Sequence, residues 1–376
     1  MKLAFCLFKY FPYGGLQRDF FRIAEACLQR GHSIDVFVTS WEGKMPTGFN
    51  VQLLPVRSLS NHGRSLAFSK VLGERLGGAA YDAVIGFNKM PGLDLYFAAD
   101  PCFAAKVRHK HGLIYRLSNR YRIYAALEKA VFGPESTTEI LLISDVEKPN
   151  FISHYGTAEN RFHFLPPGIC RDRVAPDNLL EERSIFRREF GFSDAAHLLL
   201  MVGSGFKTKG LERSIHALAA LPEHVRSNAF LLVVGQGDAA PFRRLARKLG
   251  VEGHLKLFGG RDDVPRFLFG ADLLLQPSYY ENTGTAIVEA IAAGLPVLAT
   301  ANCGYAHYVA ESDAGHLAPE PFDQSQFNGL LARMLTSSER DQWRRNALDF
   351  ASRADLFSLP ERAADIVESV ALRRQR

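Results

Sequence analysis

The chain has 376 residues, of which 47% are hydrophobic and 23% are charged, a balance that excludes a disordered protein and allows two or three domains. Its formal net charge of +5 does not by itself require nucleic acid as a partner. The five cysteines are scattered and include no CxxC pair, so we expect reduced thiols in the cytoplasm rather than disulfides or a zinc site.

Apolar runs alternate with amphipathic stretches over the first part of the chain. The elements predicted there are strands at residues 3–8, 34–39, 83–87 and 139–144 and a helix at residues 19–30. Repeated alternation of strand and helix is typical of a parallel sheet that helices cover on both faces.

The same alternation begins again after residues 166–168, a Pro-Pro-Gly sequence that suits a hinge. The elements predicted next are strands at residues 197–203, 230–235, 255–258, 273–276 and 296–299 and helices at residues 211–221, 240–249 and 285–293. We therefore predict an α/β protein with two doubly wound, Rossmann-like domains that face a central cleft. The expected domains are residues 1–168 and residues 169–355, with a C-terminal helix at residues 356–376 that packs back on the first domain.

Loops at the carboxyl ends of the strands are the first candidates for a site, because open parallel sheets bind ligands there. Gly14 and Gly15 form a turn after the first strand that lets backbone amides approach a ligand, although the turn does not match the GxGxxG dinucleotide fingerprint. Asp19 is either a helix N-cap or an acid in the cleft. Asp100, which follows the apolar run at residues 95–99, is placed similarly.

Residues 101–132, the basic segment, carry seven basic side chains and one acidic one. Its apolar residues at helical spacing are Leu117, Tyr121, Tyr124, Leu127 and Val131. This pattern is typical of a binder of anionic membrane surfaces, although a core-packed helix with a solvated basic face shares it. No nucleic-acid-binding motif accompanies the segment. The candidate membrane-binding residues are Lys106, Arg108, Lys110, Arg116, Arg120 and Arg122.

The loop at residues 203–210 lies between a predicted strand and a predicted helix and places lysines beside glycines. A diphosphate needs positive charge and close approach of the backbone, so Lys209 is a candidate ligand for one. Either Arg171 or Arg173, just after the hinge, adds a candidate guanidinium. An ordinary solvated loop is the alternative interpretation of the lysines.

The stretch at residues 280–290 carries the most informative motif. Gly284 opens an apolar helix whose free N–H groups and dipole make an anion site. Glu281 lies before this helix and Glu289 lies in it, so two carboxylates flank the expected phosphate site. Because carboxylates accept hydrogen bonds from vicinal hydroxyls, the pattern indicates a nucleotide that carries sugars; a helix cap with a surface glutamate is the alternative.

Together these motifs resemble those of the retaining glycosyltransferases with the GT-B fold, in glycosyltransferase family 4. Glu281 and Glu289 meet the E-x7-E spacing of that family, residues 209–210 meet its Lys-Gly element before a helix, and residues 14–15 meet its glycine-rich loop. The resemblance narrows to the lipopolysaccharide core glucosyltransferase I family of Gram-negative bacteria and spans essentially the whole chain. The blocks that carry it lie at residues 9–20, 40–44, 86–100, 164–169 and 303–310.

The resemblance implies an enzyme that transfers a hexose, expected to be glucose, from a UDP-sugar to a heptose of the lipopolysaccharide inner core, with the α-configuration retained. The catalytic residues it implies are Asp100, Asp19 and Glu281. The donor-binding residues it implies are Gly15, Arg173, Lys209, Arg261, Glu281, Thr283, Gly284, Thr285 and Glu289. Among these, Glu281 is expected to hold the donor sugar and Glu289 the ribose.

The sequence leaves the identity of the donor sugar open and bears on the mechanism through the residues it lacks. Some family members carry a bulky residue where this chain has Thr283, before the glycine of the E-x-x-G turn, so UDP-galactose and UDP-N-acetylgalactosamine stay open as donors. The chain has no D-x-D motif, so we expect neither a metal nor another cofactor. No residue stands out as a covalent nucleophile, which favours attack by the acceptor on the same face of the donor sugar from which UDP departs.

The expected partners are a UDP-hexose, a heptosylated lipid A–core acceptor and the anionic inner-membrane surface, without nucleic acid. Every apolar run of about 20 residues contains a charge, so we expect a cytoplasmic protein that binds the inner membrane peripherally and does not span it. Two other classes remain as alternatives, a UDP-sugar epimerase on the same fold and a non-catalytic protein that binds the membrane surface.

Overall fold

The computed structural model describes residues 1–12, 14–110 and 113–375, without the side chains of residues 109, 110 and 113. The chain divides into two units. The first unit comprises Met1–Gly168 and Ser358–Arg376, and the second unit comprises Ile169–Phe357. All five cysteines are free thiols.

Short parallel strands alternate with helices in both units. The strands are β1 (Lys2–Cys6), β2 (Lys9–Tyr10), β3 (Ser33–Val38), β4 (Ser40–Trp41), β5 (Phe49–Leu53), β6 (Ala83–Gly86), β7 (Leu95–Ala98), β8 (Glu139–Leu142), β9 (Phe162–Phe164), β10 (His197–Val202), β11 (Ala229–Val234), β12 (Leu255–Leu257), β13 (Leu273–Gln276), β14 (Val297–Thr300) and β15 (Gly315–Ala318).

The helices are α1 (Gly15–Gln29), α2 (Asn61–Gly77), α3 (Phe103–Lys110), α4 (Asn119–Phe132), α5 (Lys148–Tyr155), α6 (Leu179–Glu189), α7 (Leu211–Ala219), α8 (Glu223–Arg226), α9 (Ala240–Lys248), α10 (Val264–Gly270), α11 (Thr285–Ala292), α12 (Ala306–Ser312), α13 (Gln324–Thr336), α14 (Arg340–Arg353) and α15 (Leu359–Arg374). Within the described ranges, none of these helices combines the length and the apolar character needed to cross a bilayer.

The first unit is built on a seven-stranded sheet in the order β5-β3-β1-β6-β7-β8-β9, with every neighbouring pair parallel. Its central strands are buried along nearly their whole length, since helices cover both faces. From β1 the chain adds strands toward one edge of the sheet, and from β6 it adds them toward the other edge. The carboxyl ends of β1 and β6 are therefore the switch point where ligands bind in such sheets.

The second unit has a six-stranded parallel sheet in the order β12-β11-β10-β13-β14-β15. Its switch point lies between β10 and β13. The apolar run of β10, His-Leu-Leu-Leu-Met-Val, is buried at its four middle positions, as expected for a strand between two helical layers. Both sheets are doubly wound, which confirms the predicted α/β, Rossmann-like fold of each domain.

Helix α15 belongs to the first unit although it lies at the end of the chain. It packs against α1 and contributes buried residues such as Leu359, Ala363 and Val367 to the same apolar core as β1. The helix begins at Leu359, three residues later than the predicted 356, and Pro360 occupies its first turn, where a missing N–H costs nothing.

In its described residues, the basic segment forms α3, a 3-10 turn at Leu113–Leu117, and α4. Ser118 is the N-cap of α4, since its side chain accepts a hydrogen bond from the Tyr121 amide at 3.2 Å. Leu117 therefore lies outside the helix and is 79% exposed. The predicted apolar stripe is correct from Tyr121 onward but wrong at Leu117.

A buried carboxylate, that of Asp272, lies just before β13 and ties the amino end of the second sheet to two surrounding helices, α6 and α14. The groups that contact it are the guanidinium groups of Arg183, Arg187, Arg340 and Arg344 and the amide of Leu198. Burial alone would raise the pKa of Asp272, but the arginine charges outweigh burial and hold that pKa below its ordinary value.

Candidate functional site

Lys209 and Glu281 form an ion pair at the switch point of the second sheet. Lys209 lies on the loop after β10 and Glu281 on the loop after β13, and both side chains are largely buried, with 21% and 13% exposed. The sequence separates these residues by 72 positions, so only the parallel pairing of β10 with β13 brings them together. The structure thus places a cation and a carboxylate where ligands of such sheets bind.

Gly210 allows the two loops to approach. It caps α7 with a positive φ of 78°, and a Cβ at this position would lie only 2.0 Å from the carbonyl oxygen of Pro277. A side chain therefore fits neither the backbone conformation nor the available space.

Backbone hydrogen bonds fix the loop that carries Glu281. The Gly304 amide donates to the carbonyl of Glu281 at 3.1 Å, and the Tyr305 amide donates to the carbonyl of Thr283 at 2.7 Å. Gly284 then caps α11 in the left-handed region, with φ 85°, and supplies no side chain to bond the first turn. The first turn of α11 thus has no side-chain cap from residue 284, the condition under which its N–H groups can bind an anion.

Arg173 contacts the second glutamate of the E-x7-E motif. Its Nε donates to Oε1 of Glu289 at 3.4 Å, while its Nη1 donates to Asp172 at 2.9 Å. Glu289 is only 5% exposed on α11, and Arg173 lies in the 3-10 turn at Arg171–Arg173. Arg171 instead stacks on the Phe357 ring at 4.7 Å, so Arg173 is the one of the two arginines that reaches the motif.

Arg261 forms an ion pair within its own turn. Its Nε and Nη2 donate to the two carboxylate oxygens of Asp263 at 2.6 and 2.8 Å, and this hydrogen bonding raises the pKa of Arg261. The structure therefore pairs Lys209 with Glu281 and Arg173 with Glu289 and leaves Arg261 in a separate pair. Within the described ranges, no group of three or more histidine, cysteine or acidic side chains is arranged to hold a metal ion.

In the first unit, Gly15 and Asp19 lie on the first turns of α1, where Arg18 Nε is 3.6 Å from Oδ1 of Asp19. Next to Gly15, Gln17 lines a cavity of about 520 Å³ together with residues that follow β1 and β6. One of these is Asn88, whose Oδ1 accepts a hydrogen bond from the Phe8 amide at 2.7 Å. The start of α1 thus borders the switch point of the first sheet.

Asp100 lies beyond β7 on the wall of a second cavity, of about 340 Å³. Lys89, Lys106 and Arg120 line the same cavity. The sequence groups Lys106 and Arg120 with membrane-binding residues, whereas the structure places them beside the acid predicted to be catalytic.

Glu128, which is not among the site residues predicted from the sequence, organises the chain around Asp100. This fully buried carboxylate accepts hydrogen bonds from Lys89 Nζ at 2.5 Å and from the amides of Phe103 and Ala104 at 2.8 and 3.0 Å. Burial alone would raise the pKa of Glu128, but the charge of Lys89 and these hydrogen bonds outweigh it and lower that pKa. Glu128 therefore anchors the amino end of α3, three residues after Asp100.

A signal for Glu128 is present in the sequence. It is the one acidic residue of the basic segment, and it neighbours Leu127 on the buried face of α4. An acid on an apolar helix face implies a buried cation or a set of N–H donors.

Among the described residues, the other predicted membrane-binding side chains do not share the Asp100 cavity. Arg108 and Arg116 line a cavity of about 820 Å³ with Lys129 and His154. The Nδ1 atom of His154 is buried and has no hydrogen-bond partner among the described residues. Arg122 is exposed on α4, and the side chain of Lys110 lies outside the described part of the chain.

Comparison with known proteins places both halves of the chain among glycosyltransferases. The family description "Glycosyltransferase Family 4" matches residues 13–173, and "Glycosyl transferases group 1" matches residues 182–350. The lipopolysaccharide glucosyltransferase WaaG of Escherichia coli K12 is 49% identical over 368 residues, which cover 98% of both chains.

Two solved structures of known proteins share the fold of this chain. The crystal structure of WaaG, a glycosyltransferase involved in lipopolysaccharide biosynthesis, superposes with a TM-score of 0.93 over 97% of this chain and 99% of the other, at 49% identity. Anabaena Alr3699/HepE, solved with UDP-glucose, shares the fold at 18% identity, with a TM-score of 0.74 over 98% of this chain and all of the other.

Proposed function

Because this chain belongs to glycosyltransferase family 4, we propose that it transfers a hexose, glucose first, from a UDP-sugar to a heptose of the lipopolysaccharide inner core with retention of the α-configuration. The E. coli relative, at 49% identity, is named a lipopolysaccharide glucosyltransferase, which favours glucose and this acceptor. The observation that carries the proposal is the presence of two cation–carboxylate pairs around α11, at the carboxyl edge of the second sheet.

Each pair supplies one group for the phosphates and one for a sugar. Lys209 and Arg173 neutralise the diphosphate, assisted by the amides at the start of α11, residues 283–285. Glu281 accepts hydrogen bonds from the donor sugar, and Glu289 accepts them from the ribose. We assign Arg261, from the loop after β12, to the donor as well.

Three residues of the first unit also take part in the proposed reaction. We propose that Asp100 and Asp19 line the reacting atoms and that the Gly15 amide contacts the donor. The bond between the sugar C1 and the β-phosphate oxygen breaks, and a bond from C1 to the acceptor oxygen forms on the same face. The acceptor proton passes to the departing phosphate, so UDP leaves without a covalent sugar–enzyme intermediate. Trapping a glycosyl group on Asp100 or Asp19 would contradict this route.

In this proposal, side chains supply the positive charge that neutralises the departing UDP. Lys209 and Arg173 stabilise the charge that develops on UDP, a type of contact worth about 3 kcal/mol in such reactions. We therefore expect full activity after treatment with EDTA. Loss of activity with EDTA, restored by Mg²⁺ or Mn²⁺, would show that a metal is required.

The basic segment offers a surface for an anionic membrane. Ile114 and Leu117 are 83% and 79% exposed beside Arg116, so apolar and cationic side chains share one 3-10 turn. Arg108 and Lys129 line the adjacent 820 Å³ cavity with Arg116. Cations that attract anionic headgroups next to apolar side chains that enter the interface are the combination that peripheral membrane proteins use. We propose that this surface holds the enzyme at the cytoplasmic face of the inner membrane.

Vesicle sedimentation tests the membrane surface. The protein should pellet with vesicles that contain phosphatidylglycerol and stay in solution with phosphatidylcholine vesicles. Arg108→Glu and Arg116→Glu should weaken pelleting, whereas Lys70→Glu, an exposed position on α2, should not. Equal pelleting with both vesicle types would contradict an electrostatic membrane surface.

A donor screen tests the reaction itself. The purified chain is incubated with UDP-glucose, UDP-galactose, UDP-N-acetylglucosamine or UDP-N-acetylgalactosamine and a heptosylated core acceptor, and the product is analysed by mass spectrometry and NMR. We expect one hexose to be added from UDP-glucose in α-linkage. Interconversion of UDP-hexoses without acceptor would indicate an epimerase, and no consumption of any donor would indicate a non-catalytic binding protein.

A further inference from the structure

Two cations of the basic segment, Lys106 and Arg120, line the cavity of Asp100. Lys106 and Arg120 line this 340 Å³ cavity, whereas Arg108 and Arg116 line the 820 Å³ cavity. The division follows from helix geometry, since Lys106 and Arg108 lie two positions apart on α3 and hence about 200° apart around its axis. The basic segment therefore presents two separate cationic surfaces.

The charges in the Asp100 cavity do not balance. Lys89 also lines the cavity, but its Nζ already donates to Glu128 at 2.5 Å and to the carbonyl of Pro101 at 2.7 Å. Within the described part of the chain, neither Lys106 nor Arg120 forms a salt bridge, although both line the cavity. One carboxylate thus faces two uncompensated cations, an arrangement that attracts an anion.

The walls of the cavity suit a sugar. Phe103 and Tyr124 line it with their rings 5.4 Å apart, and Leu127 adds a further apolar surface. Aromatic faces pack against the C–H faces of pyranose rings, while Asp100 and Asn88 offer hydrogen-bond acceptors and donors at the rim. The ligand of best fit is a saccharide that carries an anionic group.

We propose that this cavity binds the acceptor through a phosphate or carboxylate on its sugar chain, held by Lys106 and Arg120, while an acceptor hydroxyl faces Asp100. The inference rests on the proposed function and specifies the acceptor as an anionic saccharide. It also separates acceptor recognition from membrane attachment, because the cations that bind the saccharide are not those around Arg116.

The test uses the full chain with a water-soluble acceptor, the heptosylated core oligosaccharide freed of its acyl chains, so that no membrane contributes. Lys106→Gln and Arg120→Gln are compared with Lys70→Gln and Arg75→Gln, two exposed positions on α2 outside the cavities. Each cavity variant should raise the KM for the acceptor about tenfold, the loss expected for a charge-assisted hydrogen bond, with kcat and the KM for UDP-glucose unchanged. The α2 variants should match the wild type in all three constants.

The anionic group is identified with modified acceptors. Dephosphorylated and carboxyl-reduced oligosaccharides are compared on the wild type and on Arg120→Gln. The modification that removes the recognised anion should raise the KM of the wild type about as much as Arg120→Gln does and should add little in that variant. If neither modification changes the KM, or if Lys106→Gln and Arg120→Gln lose only vesicle binding, the cations serve the membrane and the inference is wrong.

A binding measurement keeps this inference apart from the proposed reaction. Calorimetric titration of the same oligosaccharide needs no turnover, so weaker binding to Lys106→Gln and Arg120→Gln would support the cavity even if no donor were consumed. A wild type that consumes no donor would overturn the proposed function alone. Equal oligosaccharide affinity in the wild type and in both variants would overturn the inference alone.

Discussion

Lys209 and Glu281 join the loop after β10 to the loop after β13 by an ion pair that is largely shielded from water. The single positive charge of Lys209 is thereby compensated by a carboxylate within the protein. An incoming diphosphate must compete with Glu281 for that ammonium group, so the two residues should affect nucleotide affinity in opposite directions.

Lys209→Gln should weaken UDP binding. The variant loses a charge-assisted hydrogen bond to phosphate, which corresponds to a rise in Kd of roughly 10- to 100-fold by calorimetry. Lys207→Gln is the matched control, because Lys207 is an exposed lysine of the same loop. Equal losses in the two variants would show that only the general positive charge of the loop matters.

Glu281→Gln should separate UDP affinity from turnover. Without its carboxylate partner, Lys209 is available to the diphosphate, so UDP should bind at least as tightly as in the wild type. The rate of sugar transfer should nevertheless fall about 100- to 1000-fold, as when one preorganised contact to the reacting group is lost. Calorimetry with UDP and initial rates at saturating donor provide the two measurements. A parallel loss of UDP affinity would contradict the competition between Glu281 and the diphosphate.

Gly210→Ala should destabilise the protein by about 2–4 kcal/mol, because alanine is strained at φ 78° and its Cβ would overlap the carbonyl of Pro277. Urea denaturation followed by circular dichroism measures the free energy of unfolding. Gly73→Ala, in the interior of α2 with open space around a Cβ, should instead stabilise by about 0.5–1 kcal/mol. An unchanged free energy of unfolding in Gly210→Ala would mean that the loops after β10 and β13 can move apart without loss of stability.

Asp272→Asn should lower the free energy of unfolding by about 3–5 kcal/mol at pH 7, since four arginines lose their shared carboxylate. The folded-state pKa of Asp272 is lowered, so its stabilisation is full above the unfolded-state pKa of about 3.9 and is lost as the pH falls toward the folded-state pKa. The variant should therefore lose less stability than the wild type between pH 5 and pH 3.

Denaturation curves at several pH values measure this difference. Asp349→Asn is the control, because that side chain is 72% exposed and should contribute less than about 0.5 kcal/mol. Parallel acid profiles for wild type and Asp272→Asn would assign the acid sensitivity to other carboxylates.

The sequence predicts the fold well where strands are buried on both sides. The predicted strand at residues 273–276 coincides with β13, and the predicted helix at residues 285–293 differs from α11 by one residue. Edge strand β5 is missing from the prediction although its sequence, Phe-Asn-Val-Gln-Leu, alternates apolar and polar residues. All five positions are half-buried or exposed, so the strand lacks the continuous apolar run that marks the central strands. In the basic segment, one capping side chain, that of Ser118, breaks a helical register that the apolar residues alone suggest.

For the site, the spacing of Glu281 and Glu289 identifies the motif but not its partners. Lys209 and Arg173 lie 72 and 116 residues from the carboxylates they contact, so their pairing depends on strand order. The same limit applies to Lys106 and Arg120, which the sequence groups with their neighbours by charge. Only the backbone geometry of α3 and α4 separates these two residues from Arg108 and Arg116.

The first unit is completed by a helix, α15, that is synthesised only after the whole of the second unit. The ribosome completes Met1–Gly168 and then the whole of Ile169–Phe357 before it adds the helix that fills the core beside α1. Until α15 is added, the apolar residues that it covers in the folded unit lack this partner, and apolar surface left exposed during folding is what chaperones bind. Removal of the residues after Phe357 would make that transient state permanent, so α15 controls whether the first unit can mature.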